Sequence, residues 1–181
     1  FHDSGPLAGA FPIHRVVEWH ARDAAAHGAT VPATYDELHA VSQRIEDAFG
    51  RAPDDPVPCH NDLLPGNVLF ARDRTWLLDF EYAGMNDKHF DLANLSINCG
   101  LDTAADERLL TRYFGRVTDR ERARLALMKI MSEFREGMWA VVQQAISTLD
   151  TDFVRYADER LGSALAVIAG LDLDALLDAA S

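Results

Sequence analysis

The sequence has little basic charge and no long apolar segment. Its 181 residues include 17 Lys and Arg against 29 Asp and Glu, which gives a formal net charge of −12. Nucleic acids and anionic membranes are bound through clustered Lys and Arg, so this composition argues against both as partners. No apolar run approaches the roughly 20 residues that cross a bilayer. Nothing at the start resembles a signal peptide, and we therefore expect a cytoplasmic protein.

Cysteine is also scarce, since Cys59 and Cys99 are the only two. Neither stands at a recurring metal-ligand spacing from another Cys or a His, so the spacing indicates no zinc site. We expect both to be reduced thiols in the core. With 48% hydrophobic and 25% charged residues, the chain is large enough to form one soluble domain that buries its own core.

Apolar residues recur at helical spacing along most of the chain. Helices are predicted over residues 11–27, 34–50, 88–98, 103–114, 119–148, 152–169 and 173–179. Residues 51–58 contain three prolines and are predicted to be a linker. Two β-rich apolar runs, 68–70 and 75–78, surround a polar turn and predict one short hairpin. The expected fold is therefore mainly α with a small β-hairpin.

The most specific pattern is CHNDLLPGNVLF at residues 59–70, followed by LLDFEYAG at residues 77–84. Residues 60–67 match the spacing H-x-D-L-x-x-x-N of a kinase catalytic loop. The sequence D-F-E at residues 79–81 stands where the kinase element D-F-G follows that loop. The two motifs together indicate phosphoryl transfer.

The chemistry of phosphoryl transfer explains these residue types. The Asp62 carboxylate can accept the proton of a hydroxyl that attacks the γ-phosphate of ATP. Asn67 and Asp79 offer the oxygen ligands that magnesium prefers. A hairpin over residues 67–79 would bring both to one metal site.

Each of these residues also has a purely structural interpretation. An Asp and an Asn on either side of Pro-Gly are common in turns, because both side chains bond the local backbone. The joint pattern is far more constrained and favours the catalytic interpretation. His60 is predicted to hold the loop by bonding backbone carbonyls. Asp91 is predicted to cap a helix or brace the loop, so we assign both residues to structural support of the site.

From Phe1 to about Ala166 the chain resembles the C-terminal lobe of the choline/ethanolamine kinase branch of the aminoglycoside-phosphotransferase-like, protein-kinase-like family. The matching residues are His60, Asp62, Asn67, Asp79, Glu81 and Tyr82, followed by Phe90 and Asp91. The resemblance implies that Asp62 is the base and that ATP is the co-substrate. It also implies that Asn67 and Asp79 bind Mg²⁺, with Glu81 assisting.

A later segment, residues 134–157, is similar to the helical segment that lines the choline pocket in that branch. The resemblance implies that Tyr82, Trp139 and Tyr156 contact a quaternary ammonium group. Glu136 stands where the branch usually has a second tryptophan, and a carboxylate there can pair with a primary or secondary amine. Alternatively, Trp139 is core packing in an apolar stripe of its helix, and Glu136 is a solvated helix residue.

The segment before the catalytic loop has neither a Gly-rich phosphate loop nor a strand lysine of the V-A-I-K type. We therefore expect residues 1–181 to be the C-terminal catalytic and acceptor-binding lobe, with catalytic loop 58–67 and hairpin 67–79. The N-terminal β lobe, which covers ATP and supplies that lysine, is expected to be absent from this chain. The isolated lobe should have little activity.

Three functions remain open from the sequence. The first is an ATP- and magnesium-dependent phosphotransferase that acts on the hydroxyl of a small cationic amino alcohol of the choline or ethanolamine type. The second is the same reaction on an aminoglycoside or amino sugar, and the third is a non-catalytic kinase-like binding module. The complete set of Asp62, Asn67 and Asp79 argues against the third. The sequence predicts no oligomeric state.

Overall fold

Seven helices make up most of the protein. In the computed structural model, which describes all of residues 1–181, they are α1 Ile13–Ala26, α2 Thr34–Arg51, α3 Lys88–Asn98, α4 Thr103–Phe114, α5 Asp119–Ile146, α6 Phe153–Ala169 and α7 Leu173–Ala180. Each coincides with a predicted helix to within a few residues at its ends. The prediction of a mainly helical fold is confirmed.

The helix starts follow from the side chains that precede them. Four helices begin after an aspartate whose carboxylate accepts a hydrogen bond from a backbone N–H of the first turn: Asp87 for α3, Asp102 for α4, Asp152 for α6 and Asp172 for α7. Helix α5 begins with a capping box between Thr118 and Glu121. These contacts satisfy backbone donors that a helix cannot satisfy internally.

Helix α5 is the centre of the fold, because α1, α3, α6 and α7 all pack against it. Gly137 allows α6 to approach closely: a Cβ atom at this position would lie 2.6 Å from the side chain of Leu161. The close packing brings the first turns of α6, which carry Tyr156, against the middle of α5. The predicted acceptor-binding segment is therefore a junction of two tightly packed helices.

The structure contains two small antiparallel sheets. The predicted hairpin is formed by β2 Val68–Phe70 and β3 Thr75–Leu77. The other sheet pairs β1 Val57–Cys59 with β4 Gly84–Asn86. The assignment of residues 51–58 to a linker was therefore wrong at its C-terminal end, because a three-residue strand forms there by pairing with a distant segment and leaves no local periodicity.

The two cysteines lie in different environments. Cys59 in β1 is buried, as expected. Cys99 is exposed, so its assignment to the core was wrong. It directly follows the last residue of α3, where the chain turns at the surface. None of the helices is long and apolar enough to pass through a membrane.

Candidate active site

The candidate catalytic loop leaves β1 at His60 and enters β2 through a 3₁₀ turn, Pro65–Asn67. Two non-glycine residues of the protein have positive φ angles, Asn61 at 65° and Asp79 at 61°. Non-glycine residues adopt this region at a cost in free energy, and such strain is concentrated at functional sites. Asn61 directly precedes Asp62, and Asp79 is a predicted metal ligand.

Helix α3 braces the backbone of this loop. The Asp91 carboxylate accepts hydrogen bonds from the backbone N–H groups of His60 at 2.8 Å and Asn61 at 2.7 Å. One helical turn later, the Asn94 side-chain oxygen accepts from the N–H of Leu63 at 2.6 Å. Asp91 is thus inside α3, where it braces the loop, while the cap of this helix is Asp87.

Two further side chains connect the loop to the segment around the second motif. The Asn61 amide donates to the Tyr82 carbonyl at 2.9 Å and accepts from the Asn86 amide at 2.9 Å. The His60 ring donates from Nε2 to the Leu78 carbonyl at 2.8 Å. Asn61 was not among the predicted site residues, although asparagine tolerates left-handed backbone better than most residues and its place in H-x-D could have suggested this role.

The candidate base, Asp62, is contacted by Asn67 of the same loop. The Asn67 side-chain nitrogen donates to the Asp62 carbonyl at 2.9 Å and approaches Asp62 Oδ2 at 3.3 Å. The amide is therefore oriented by its nitrogen, which leaves its oxygen available for another partner.

The hairpin brings the second motif beside Asn67. The Leu78 N–H donates to the Asn67 carbonyl at 2.9 Å, so Asp79 follows directly after the residue that pairs with Asn67. Asp79 and Glu81 are exposed, and their carboxylates form no hydrogen bond or ion pair within the protein. An oriented amide oxygen with two free carboxylates is the hard-oxygen set that suits a magnesium ion, so these residues fit the predicted metal.

Arg135 of α5 is a site residue that the sequence analysis missed. Its Nη2 donates to the Asn61 carbonyl and to Asp62 Oδ1, both at 3.0 Å. Its Nη1 donates to Glu136 Oε2. Arg135 is only 2% exposed. The available signal was an Arg-Glu pair inside the apolar stripe of α5, where charged residues are unusual.

Glu136 is buried, so the alternative that it is a solvated helix residue was wrong. Its Oε2 accepts from Arg135, and its Oε1 accepts from the Tyr156 hydroxyl at 2.9 Å. Burial, followed by the charge of Glu136, raises the pKa of Tyr156, which keeps this hydroxyl a donor at neutral pH. Both carboxylate oxygens of Glu136 thus have partners within the protein.

The three predicted acceptor aromatics are half-buried at the edge of the core. The Arg135 guanidinium carbon lies 5.1 Å from the centre of the Tyr82 ring, and that of Arg160 lies 5.1 Å from the Tyr156 ring. Trp139 contacts Phe153 edge to face at 5.9 Å and has no guanidinium over its ring. The protein's own cations therefore contact two of the three rings that were predicted to hold the acceptor.

The mostly helical lobe has the fold of the C-terminal part of kinase-like structures. The protein-family sequence model described as "Phosphotransferase enzyme family" matches residues 2–126 of this chain. The chain belongs to this family.

Individual relatives agree with this placement. Protein LicA of Haemophilus influenzae is 30% identical over an alignment of 118 residues, and the match covers 63% of this chain and 44% of LicA. Ethanolamine kinase 2 of Rattus norvegicus is 31% identical over 126 residues, covering 58% of this chain and 33% of the rat protein. The crystal structure of a choline/ethanolamine kinase family protein from Mesorhizobium loti matches with a TM-score of 0.88 and 29% identity, over 99% of this chain and 62% of that one.

These comparisons confirm the predicted resemblance to choline/ethanolamine kinases and the C-terminal part of a kinase-like fold. The chain spans less than half the length of the two curated relatives. The roles assigned to individual residues stay predictions.

Proposed function

We propose that this chain provides the catalytic C-terminal lobe of an ATP- and magnesium-dependent phosphotransferase acting on the hydroxyl of a small cationic amino alcohol. The observation that carries this proposal is the arrangement at Asp62, whose two carboxylate oxygens face Arg135 and Asn67 in a loop fixed by Asp91. Asp79 and Glu81 stand free beside that loop. The similarity to ethanolamine kinase 2 and to the choline/ethanolamine kinase family protein from Mesorhizobium loti supports the same reaction class.

In the proposed reaction, Asp62 accepts the proton of the acceptor hydroxyl and orients its oxygen toward the γ-phosphate. A magnesium ion would be held by Asn67 and Asp79 with help from Glu81, and it would supply positive charge against the phosphate oxygens. Because the loop backbone is bonded to α3, the carboxylate is already placed before the substrates bind. Such prior placement is a large part of catalysis when the enzyme forms no covalent intermediate.

We assign residues 1–181 to a single catalytic and acceptor-binding lobe. Neither a Gly-rich phosphate loop nor a strand lysine occurs before the catalytic loop. We therefore expect this lobe to need a further nucleotide-covering segment for full turnover, and to have little activity alone.

The proposed acceptor is a compact ammonium alcohol of the ethanolamine or choline type. Its cation would lie near Trp139, the one predicted aromatic without a guanidinium over its ring. The carboxylates of Asp62, Glu133 and Glu136 outnumber the guanidinium groups of Arg135 and Arg160 paired with them, which favours a cationic ligand.

The test is a transfer assay with the complete protein that contains this chain. Purified protein is incubated with ATP labelled at the γ-phosphate, magnesium and one acceptor: ethanolamine, choline or an aminoglycoside. We expect labelled phosphoethanolamine or phosphocholine, and no label transfer by Asp62→Asn. Transfer to the aminoglycoside alone would favour the alternative substrate class. ATP binding without transfer to any acceptor would favour a non-catalytic module.

A further inference from the structure

We propose that Arg135 and Glu136 are a positioning pair that holds the candidate base Asp62, and that Glu136 acts through Arg135 rather than by binding the acceptor. This inference rests on the proposed function, because it assigns roles within the same site. It replaces the expectation that Glu136 pairs directly with an acceptor amine.

A continuous series of hydrogen bonds leads from α6 to the base. The Tyr156 hydroxyl donates to Glu136 Oε1 at 2.9 Å, and Arg135 Nη1 donates to Glu136 Oε2. Arg135 Nη2 then donates to Asp62 Oδ1 at 3.0 Å. Each oxygen of Glu136 already accepts one hydrogen bond within the protein, and the residue is only 9% exposed, so an acceptor amine would have to reach a remaining lone pair of a buried carboxylate.

The same guanidinium also fixes the backbone before the base. Arg135 Nη2 donates to the carbonyl of Asn61, whose φ angle is 65°. The N–H of Asn61 is bonded to Asp91 on the other side. Asn61 is therefore held at its N–H by α3 and at its carbonyl by α5. The same Arg135 nitrogen that bonds this carbonyl also bonds the side chain of Asp62.

Charge and packing explain why Glu136 is needed for this arrangement. A buried guanidinium is stable only with anionic partners, and the side chain of Arg135 is 3% exposed. If Asp62 were its only anionic partner, the arginine would compete with the substrate hydroxyl for the base. Glu136 shares the guanidinium, and the Tyr82 ring beneath it at 5.1 Å restricts its movement.

The first test measures steady-state kinetics of Arg135→Ala in the complete protein. Misplacement of the base should lower kcat about 100-fold, with the KM for ATP changed by less than about threefold. Added guanidinium ion should restore part of kcat, because it can occupy the vacated space between Asp62 and Glu136. The matched control is Arg155→Ala on α6, an exposed arginine that pairs with Glu159 and should keep wild-type kinetics.

The second test separates the roles of Glu136 and remains valid if Arg135→Ala does not fold. Glu136→Gln keeps the volume and the arginine but weakens their pairing, so kcat should fall about tenfold while the KM for the acceptor stays within about threefold. A raised acceptor KM with unchanged kcat would show that Glu136 binds the acceptor, and would overturn the proposal. A wild-type kcat in Arg135→Ala would do the same.

A third measurement does not depend on activity. Amide hydrogen exchange at residues 61–64 should be at least about tenfold faster in Arg135→Lys than in the wild-type protein, because a lysine cannot bond the carbonyl and the carboxylate with one planar group. Unchanged exchange would overturn the proposal. If the wild-type protein transfers no phosphate to any acceptor, the proposed function fails, and the exchange rates still decide whether Arg135 holds the loop.

Discussion

Asp91 Oδ1 accepts a hydrogen bond from the backbone N–H of Asn61 at 2.7 Å. Asp91 is 2% exposed, and Asn61 is fully buried with a left-handed backbone. This hydrogen bond to a carboxylate stabilises the left-handed backbone of Asn61 and so offsets the strain of the loop. The placement of Asp62 therefore depends on a buried residue of α3 that bonds the backbone of the loop.

Asp91→Ala should destabilise the protein. It leaves the buried N–H groups of His60 and Asn61 without their acceptor, which should lower the free energy of unfolding by about 2–5 kcal/mol. Urea unfolding of the complete protein measures this change. Asp158→Ala, at an exposed position on α6, should stay within about 0.5 kcal/mol of wild type. An equally small effect for Asp91→Ala would mean that the loop is held by other contacts.

Asp62→Asn should abolish turnover and leave the fold intact. Loss of the proton acceptor should lower kcat by about 10²- to 10⁴-fold. The thermal midpoint should change little, because asparagine has nearly the same size and still accepts from Arg135. The matched control is Asp47→Asn at an exposed position on α2. Retention of near-normal kcat by Asp62→Asn is incompatible with a role as base.

The fold was largely predictable because its signals are local. A capping aspartate such as Asp102 or Asp152 lies within three residues of the N–H that it accepts from, and helical periodicity is visible within one segment. The catalytic loop is local in the same way, since Asp62 and Asn67 are five residues apart. Short-range patterns of this kind can be read from one sequence.

The rest of the site depends on contacts between distant segments. Arg135 and Asp62 are separated by 73 residues, and no local pattern couples a helix residue to a loop so far away. The pairing of β1 with β4 joins Val57 to Asn86 across the whole hairpin. The burial of Glu136 likewise depends on the packing of α6 over Gly137. These features appear only once the elements have been packed together.

Asn67→Ala and Asp79→Ala should each lower the affinity of the protein for magnesium. Each substitution removes an oxygen from a site with few protein ligands, so higher magnesium concentrations should be needed for half-maximal rate. Asp73→Asn, in the exposed turn of the same hairpin, is the matched control. Identical magnesium titrations for wild type and both alanine variants would mean that the metal is held elsewhere.

Stability should decrease on mild acidification because of His20. Burial lowers the pKa of His20 from 6.5 to about 4, and the charge of Arg135 acts in the same direction. Between these values the unfolded chain binds a proton that the folded protein does not, so stability is lost as the pH falls. From pH 7 to pH 5 the free energy of unfolding should decrease by about 1–2 kcal/mol through this residue.

Urea unfolding at both pH values measures the effect of His20. His20→Gln should remove this part of the pH dependence, whereas His27→Gln, at an exposed position, should leave it unchanged. A wild-type pH dependence in His20→Gln would show that the proton uptake belongs to other groups.

Trp139→Ala should weaken binding of the acceptor. Tyr82 and Tyr156 are contacted by the guanidinium groups of Arg135 and Arg160, so Trp139 is the ring left to attract a further cation. Loss of cation–π and packing energy of about 1–2 kcal/mol should raise the acceptor KM about 5- to 30-fold. The values of kcat/KM for ethanolamine, choline and an aminoglycoside should be measured on the wild type and the variant.

The pattern across acceptors identifies the substrate class. Trp19→Ala, which removes an exposed indole from α1, should not change any of the three values. A loss with Trp139→Ala that is confined to ethanolamine and choline supports a compact ammonium alcohol, because a small cation depends on one aromatic face. An aminoglycoside carries several ammonium groups and can be held by carboxylates alone. Aminoglycoside turnover that is indifferent to Trp139, with no turnover of the two small alcohols, would refute the amino-alcohol assignment.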